Sequence, residues 1–159
     1  MERSLVLVKP DAFQRALVGR IISRLEEKGL QLIGAKMMTL SDAMLDQHYS
    51  HLRALPFFGE LKDFMKSGPI LALCWEGLDA VATIRALCGI TKAREASPGT
   101  IRGDFGMSIQ CNLVHASESI DAAGKELRMF FMDEELFCYE VVAARFVYSN
   151  REQTAGVKS

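Results

Sequence analysis

Apolar and polar positions alternate along the chain in a way that separates short extended runs from amphipathic helices. Ser4-Leu-Val-Leu-Val-Lys9 is an unbroken, branched apolar run stopped by Pro10, which predicts a buried strand. Behind it Asp11 suits an N-cap. Phe13, Leu17, Ile21, Ile22 and Leu25 then recur at helical spacing, Gln14, Arg15, Arg20, Ser23, Arg24, Glu26 and Glu27 take the other face, and Gly29 supplies the stop. Leu30 to Leu40 reads as a second strand weakened by Gly34, and Ser41 or Asp42 caps a helix through Met44, Leu45, His48, Tyr49 and Leu52. Pro56 breaks the chain before another amphipathic set: Phe57, Phe58, Leu61, Phe64 and Met65. Ile70 to Trp75 is a third strand closed by Gly77, and Asp79 opens a helix carrying Val81, Ala82, Ile84 and Leu87 that ends at Gly89.

Residues 89–104 keep no period and contain Pro98, Gly99 and Gly103, which predicts a long loop of the kind that is usually functional or disordered. Met107 to Val114 reads as a weaker strand. Ser117 or Ser119 caps a last long helix with Ile120, Ala123, Leu127, Phe130 and Phe131 on one side, and Glu140 to Tyr148 reads as extended. The underlying order, βαββαβ, predicts an α+β ferredoxin-like sandwich: a four-stranded antiparallel sheet with helices packed on it, mainly on one side. One domain is expected over residues 1–149, followed by a polar tail, 150–159, expected to be poorly ordered.

Composition narrows the function classes. A chain of 159 residues, 49% hydrophobic and 25% charged, can bury its own core and is neither disordered nor collagen-like. Its net charge of −1 argues against a DNA-coating protein or a polybasic membrane binder. No apolar run approaches the roughly 18–20 residues of a membrane span, and the first residues carry no apolar stretch behind a basic one, so no membrane partner and no secretory leader are expected. Cys74, Cys88, Cys111 and Cys138 form no CxxC pair and lie at no zinc spacing, so no metal centre is predicted. Reduced, mostly buried thiols are expected, which places the chain in the cytoplasm.

The usual phosphate and ester motifs are missing: no P-loop, no HExxH, no GxSxG. Gly124-Lys125 is no exception, because residue 119 is Ser and the pair falls inside a predicted helix. Phosphate-type side chains nevertheless concentrate in one stretch. Arg85, Thr91, Lys92 and Arg94 lead into Pro98-Gly-Thr-Ile-Arg-Gly-Asp-Phe105, and Asn112-Leu-Val-His-Ala-Ser117 follows. Arg102 stands beside glycines that would let backbone approach a ligand, and its fork suits bidentate phosphate contact. Lys9 places a charge at a strand end. His115 ends an apolar strand at a helix entrance, where free N–H groups favour an anion. A neutral imidazole needs no metal to act as a nucleophile, and a carboxylate on one ring nitrogen leaves the other lone pair free. Glu126, flanking the apolar row Ala123, Leu127 and Phe130, is the candidate for that carboxylate.

With these residues in place the chain resembles the nucleoside diphosphate kinase family. The likeness rests on Lys9-Pro10-Asp11, Pro56-Phe57-Phe58, Gly68-Pro69, Trp75-Glu76-Gly77, Pro98 to Phe105 and Asn112 to Ser117, in order, from about Arg3 to Tyr148. The resemblance implies a ping-pong transfer of the γ-phosphoryl from a nucleoside triphosphate, typically ATP, to a nucleoside diphosphate through a phosphohistidine at His115. It implies that Tyr49, Ser117 and Glu126 support that histidine. Lys9, Arg85, Thr91, Arg102 and Asn112 would hold phosphates and ribose, with the base between Phe57 and Ile109. It further implies Mg²⁺ carried on the nucleotide phosphates, and a homo-oligomer, tetramer or hexamer. Ala116 stands where the family most often has Gly, and Ala93 where it often has Pro. The competing expectation is a non-catalytic nucleotide or nucleic-acid binder of the same fold; with a net charge of −1, nucleic acid is not expected as the main partner.

Overall fold

The computed structural model describes residues 1–142 and 144–155. Four strands, β1 (Glu2–Val8), β2 (Gln31–Met38), β3 (Ile70–Gly77) and β4 (Val114–Ala116), form one sheet in the order β2-β3-β1-β4. Every neighbouring pair is antiparallel. This is the predicted α+β ferredoxin-like arrangement, with two split βαβ units sharing one sheet. Because successive side chains of a strand point to opposite faces, the apolar run of β1 feeds two cores. Val6 and Val8 pack with Ile21, Leu25, Trp75, Ile84 and Leu113 on one side. Leu5 and Leu7 pack with Ile33, Leu45, Met65, Leu127 and Phe130 on the other. Helices therefore cover both faces, not mainly one: the second face is closed by α3 (Asp42–His48), α4 (Phe58–Lys66) and α7 (Ile120–Phe130).

The capping expectations resolve to single residues. Ser41 accepts from the Met44 amide at 3.2 Å, and Ser119 from the Ala122 amide at 3.1 Å. Other expectations change. The helix expected from Asp11 is two, α1 (Pro10–Gln14) and α2 (Val18–Glu27), broken where Ala16 takes a left-handed φ of 52°. Asp11 is not its N-cap. Lys9 holds that position with Pro10 at the first helical place. The Asp11 carboxylate instead accepts from the Leu113 amide at 3.1 Å, pinning α1 to the entrance of β4.

Within the expected long loop the chain forms a 3₁₀ turn, Ala93–Glu95, and a short helix, α6 (Ile101–Phe105), capped by Thr100. Met107 to Val114 is not a strand. Ser108 Oγ accepts from the Gln110 and Cys111 amides and turns the chain, so only Val114–Ala116 reaches the sheet. Glu140 to Tyr148 contains a helical turn, α8 (Ala144–Val147), rather than an extended run, and Asn150–Ala155 is a short helix, α9. The expectation of poor order for residues 156–159 lies outside the described residues. The cysteines are free, with Cys74 and Cys88 buried and Cys111 and Cys138 exposed, so the thiols are not mostly buried. No helix among the described residues is long and apolar enough to cross a membrane.

Candidate active site

The pairing of β1 with β4 brings the chemistry together. Leu7 lies opposite His115 and Val8 opposite Val114. Just past the ladder the Lys9 amide donates to the Leu113 carbonyl at 2.8 Å. The end of β1 and the approach to β4 thus run side by side, and the Lys9 ammonium donates to Asn112 Oδ1 at 2.7 Å. Asn112 Nδ2 donates onward to the carbonyls of Thr91, at 3.0 Å, and Ile109, at 2.9 Å. One buried amide therefore ties the lysine, the segment after α5 (Ala80–Cys88) and the segment before β4 into a single unit. Burial pushes the Lys9 ammonium down to about 8, and the neighbouring Arg102 charge acts in the same direction.

His115 Nε2 lies 3.0 Å from Glu126 Oε1, and Ser117 Oγ donates to the other oxygen, Oε2. Burial works to raise the Glu126 carboxyl, but hydrogen bonds from His115 and Ser117 outweigh it and hold the group below its ordinary range. A carboxylate therefore faces Nε2, that nitrogen carries the proton, and Nδ1 keeps the lone pair. Ser117 is itself fixed by the Leu5 amide, which donates to its Oγ at 3.2 Å. Tyr49 is buried with its ring edge-on to His115 at 6.1 Å, and burial, followed by the Glu126 charge, pushes its phenol upward.

Arg102 lies on α6 and is 8% exposed. Its guanidinium donates to the Gly89 carbonyl at the end of α5 and, at 2.7 Å, to the Val114 carbonyl one residue before His115. Of the glycines near it, Gly103 serves loop packing: a Cβ there would lie 2.0 Å from the Ser97 carbonyl oxygen.

These groups surround a cleft of about 620 Å³. Lys9, Tyr49, Phe57, Arg85, Thr91, Arg102, Ile109, Asn112, His115 and Glu126 all line it, while Ser117 stands behind Glu126. Phe57 is 47% and Ile109 63% exposed, at the rim. The sequence reading did not single out His51, Glu60 or Gln110, which also line the cleft, or His48, which packs against His115 with ring centroids 4.5 Å apart. In the helical pattern His48 reads as part of an apolar face. Its adjacency to Tyr49 is a signal visible only once Tyr49 has a place. The cleft is open, basic on one wall and apolar at the rim, and it offers a nitrogen nucleophile toward bound anions.

The sequence profile of the family described as "Nucleoside diphosphate kinase" matches residues 2–136. The chain belongs to the nucleoside diphosphate kinase family. It is similar to a nucleoside diphosphate kinase of Parabacteroides distasonis, 49% identical over 152 residues that cover 96% of this chain and 99% of the relative. It is equally similar to one of Bacillus licheniformis, 49% identical over 148 residues, 93% of this chain and all of that one. Among solved structures, a halophilic nucleoside diphosphate kinase from Halobacterium salinarum in complex with CDP superposes with a TM-score of 0.91. It is 44% identical, with 93% of this chain and 99% of that one covered. The function is accordingly that of a nucleoside diphosphate kinase, a phosphotransferase acting on nucleotides, and the non-catalytic binder expectation gives way to it.

Proposed function

We propose that His115 carries the phosphoryl group between donor and acceptor. The observation that carries this reading is the His115–Glu126 contact at 3.0 Å, which assigns the proton to Nε2 and leaves Nδ1 available in a basic cleft. The Nδ1 lone pair forms a bond to the γ-phosphorus as the bond from that phosphorus to the β–γ bridging oxygen breaks, and the electron pair leaves with the diphosphate. After exchange, a terminal oxygen of the acceptor diphosphate forms the new bond, and the P–N pair returns to Nδ1. Positive charge that grows on the ring is met by Glu126, itself held by Ser117. Lys9, Arg85 and Arg102 face the phosphates with positive charge, Thr91 and Asn112 add polar contacts, and Tyr49 packs the histidine. Such a transfer needs positioning and charge stabilisation more than covalent assistance. The test is incubation with γ-labelled ATP and no acceptor: acid-labile, alkali-stable label on His115 is expected, and label elsewhere overturns the assignment.

Phe57 and Ile109 are the walls for the base. Stacking is indifferent to base identity because every base has a π-face, and the CDP in the Halobacterium salinarum structure carries one base such a cleft would accept. Phe57→Ala should raise KM for ADP, GDP, CDP and UDP by similar factors, on the order of tenfold or more, with kcat less affected. Loss confined to one base, in steady-state assays across the four, would place recognition at base edges instead.

Lys9 gives a pH dependence. Its ammonium, lowered by burial and by Arg102, loses its charge as pH rises through about 8 in the free protein. Diphosphate binding, measured by calorimetry, should hold steady below that pH and weaken above it, by up to about tenfold per unit because each site must then regain a proton. Constant affinity up to a pH of about 9.5 would exclude a charged Lys9 from the phosphate contacts.

Mg²⁺ is a hard cation that seeks oxygen ligands. Among the described residues the one metal-like cluster is His48, His115 and Glu126, with two imidazoles and a carboxylate already engaged by His115. The protein offers no magnesium cage there, so we place Mg²⁺ on the nucleotide phosphates and assign it no step. We further propose a catalytic domain over 1–149 in a cytoplasmic homo-oligomer, tetramer or hexamer. Exposed Phe137, Tyr139, Val142 and Phe146 support self-association, because apolar side chains so grouped along the chain usually mark an interface.

A further inference from the structure

Gln110 lines the cleft and has no part in the chemistry above. It belongs to the segment between α6 and β4, which is tied down by its own bonds. Ser108 Oγ accepts from the Gln110 amide at 3.1 Å and from the Cys111 amide at 3.2 Å, and the Gln110 carbonyl accepts from the Asn112 amide at 3.0 Å. Ile109, one wall of the base slot, rides on this turn. Its carbonyl accepts from Asn112 Nδ2 at 2.9 Å, and Asn112 is 1% exposed. One side of that wall is therefore fixed to the same buried amide that holds Lys9 and the Thr91 carbonyl.

The opposite wall, Phe57, is the N-cap of α4, and Glu60 follows three residues on, so both face one side of the helix and both line the cleft. Gln110, half-buried, reaches across: its Nε2 donates to the Glu60 carbonyl at 3.3 Å, over a sequence separation of 50 residues. Among the described residues no other hydrogen bond joins residues 57–66 to residues 107–112. The spacing of the two walls matters physically. A flat ring stacked on both sides needs them about 7–8 Å apart, twice the carbon–carbon contact distance. Walls free to splay must be brought to that spacing by the ligand, and the ordering is taken from its affinity.

We infer that Gln110 is a positioning residue for the base: its side-chain amide fastens the turn that carries Ile109 to the first turn of α4, and so holds the slot at the width of one stacked ring. This rests on the reading that the base lies between Phe57 and Ile109. The fastening is made to a backbone carbonyl and leaves the base edges unread, so it serves all bases alike. It is also remote in role from His115, because it fixes where the base sits and supplies nothing to the reacting atoms.

The experiment measures Kd for ADP, GDP, CDP and UDP by calorimetry in wild type, Gln110→Met, Phe57→Ala and the double variant. Methionine matches glutamine in length and lacks the N–H. The turn is shaped by its backbone and by Ser108, so Gln110→Met should fold as wild type does. Its Kd should rise about three- to tenfold, by a similar factor for all four nucleotides, as expected for the loss of one hydrogen bond. The single-turnover phosphorylation rate at saturating ATP should change by a smaller factor. In the Phe57→Ala background, where one wall is already gone, the same substitution should cost less than about 1.5-fold. An unchanged Kd in Gln110→Met, a loss confined to one base, or a loss as large in the Phe57→Ala background as in wild type would overturn the inference. A Phe57→Ala protein that binds all four nucleotides as tightly as wild type would overturn the base slot itself instead.

Discussion

His115→Ala is expected to yield a folded protein that binds nucleotides and exchanges no phosphoryl group. The histidine is part of β4 but not of either apolar core: Val114 and Ala116 on each side are buried, while its own ring is partly exposed to the cleft. Truncation therefore leaves the β1–β4 pairing in place, and what remains is a small void in the cleft wall. The phosphate-facing groups do not depend on the imidazole either. Lys9 is oriented by Asn112, and Arg102 by the Gly89 and Val114 carbonyls. Dissociation constants for ADP should stay within about threefold of wild type, whereas the transfer rate should fall by at least about four orders of magnitude, as when a nucleophile that splits the reaction into two steps is removed. Label from ATP should vanish from the protein. Turnover above about one per cent of wild type, with both nucleotides seated together, would mean direct transfer and another role for His115.

How much of this was readable before the structure depends on the range of the interactions involved. The branched run Leu5 to Val8, the Gly29 stop and the serine caps are local, and they translate directly into β1, the end of α2, α3 and α7. The breaks come where one tertiary contact overrides local preference. Asp11 has the right chemistry for an N-cap but spends its carboxylate on the Leu113 amide more than a hundred positions away. Met107 to Leu113 is apolar enough for a strand, yet the Ser108 turn and a Leu113 φ of 74° aim it along the cleft instead. Short helices such as Ile101–Phe105 hold too few residues to display a period.

The site was legible as a set of residue types, and the family likeness supplied roles. The arrangement itself came from strand register: only the pairing of Leu7 with His115 explains why Lys9 meets Asn112. His48 went unrecognised because only the fold sets its ring against His115, and no spacing rule encodes that.

Arg102→Lys should separate charge from geometry. In the native cleft the guanidinium spends one N–H on each of two backbone carbonyls, Gly89 at the end of α5 and Val114 beside the nucleophile, and is 8% exposed. That bridge holds a planar fork in one orientation, with N–H groups to spare for an anion. A lysine keeps the positive charge, so ground-state attraction for a polyphosphate largely persists, and the Kd for ADP should rise by less than about tenfold. An ammonium on a shorter reach cannot hold both carbonyls and a phosphate at once. One buried carbonyl then loses its donor, which costs about 1–3 kcal/mol of stability and should lower the melting temperature by several degrees. The larger effect falls on the transition state. As the phosphoryl leaves one oxygen for Nδ1, charge spreads over its equatorial oxygens, and a fixed donor aimed there is worth about a hundred- to a thousandfold in rate. Pre-steady-state phosphorylation, run well below the melting temperature, should show kcat reduced by that factor with KM little changed. A rate within about threefold of wild type would reduce Arg102 to a structural strut between α5 and β4.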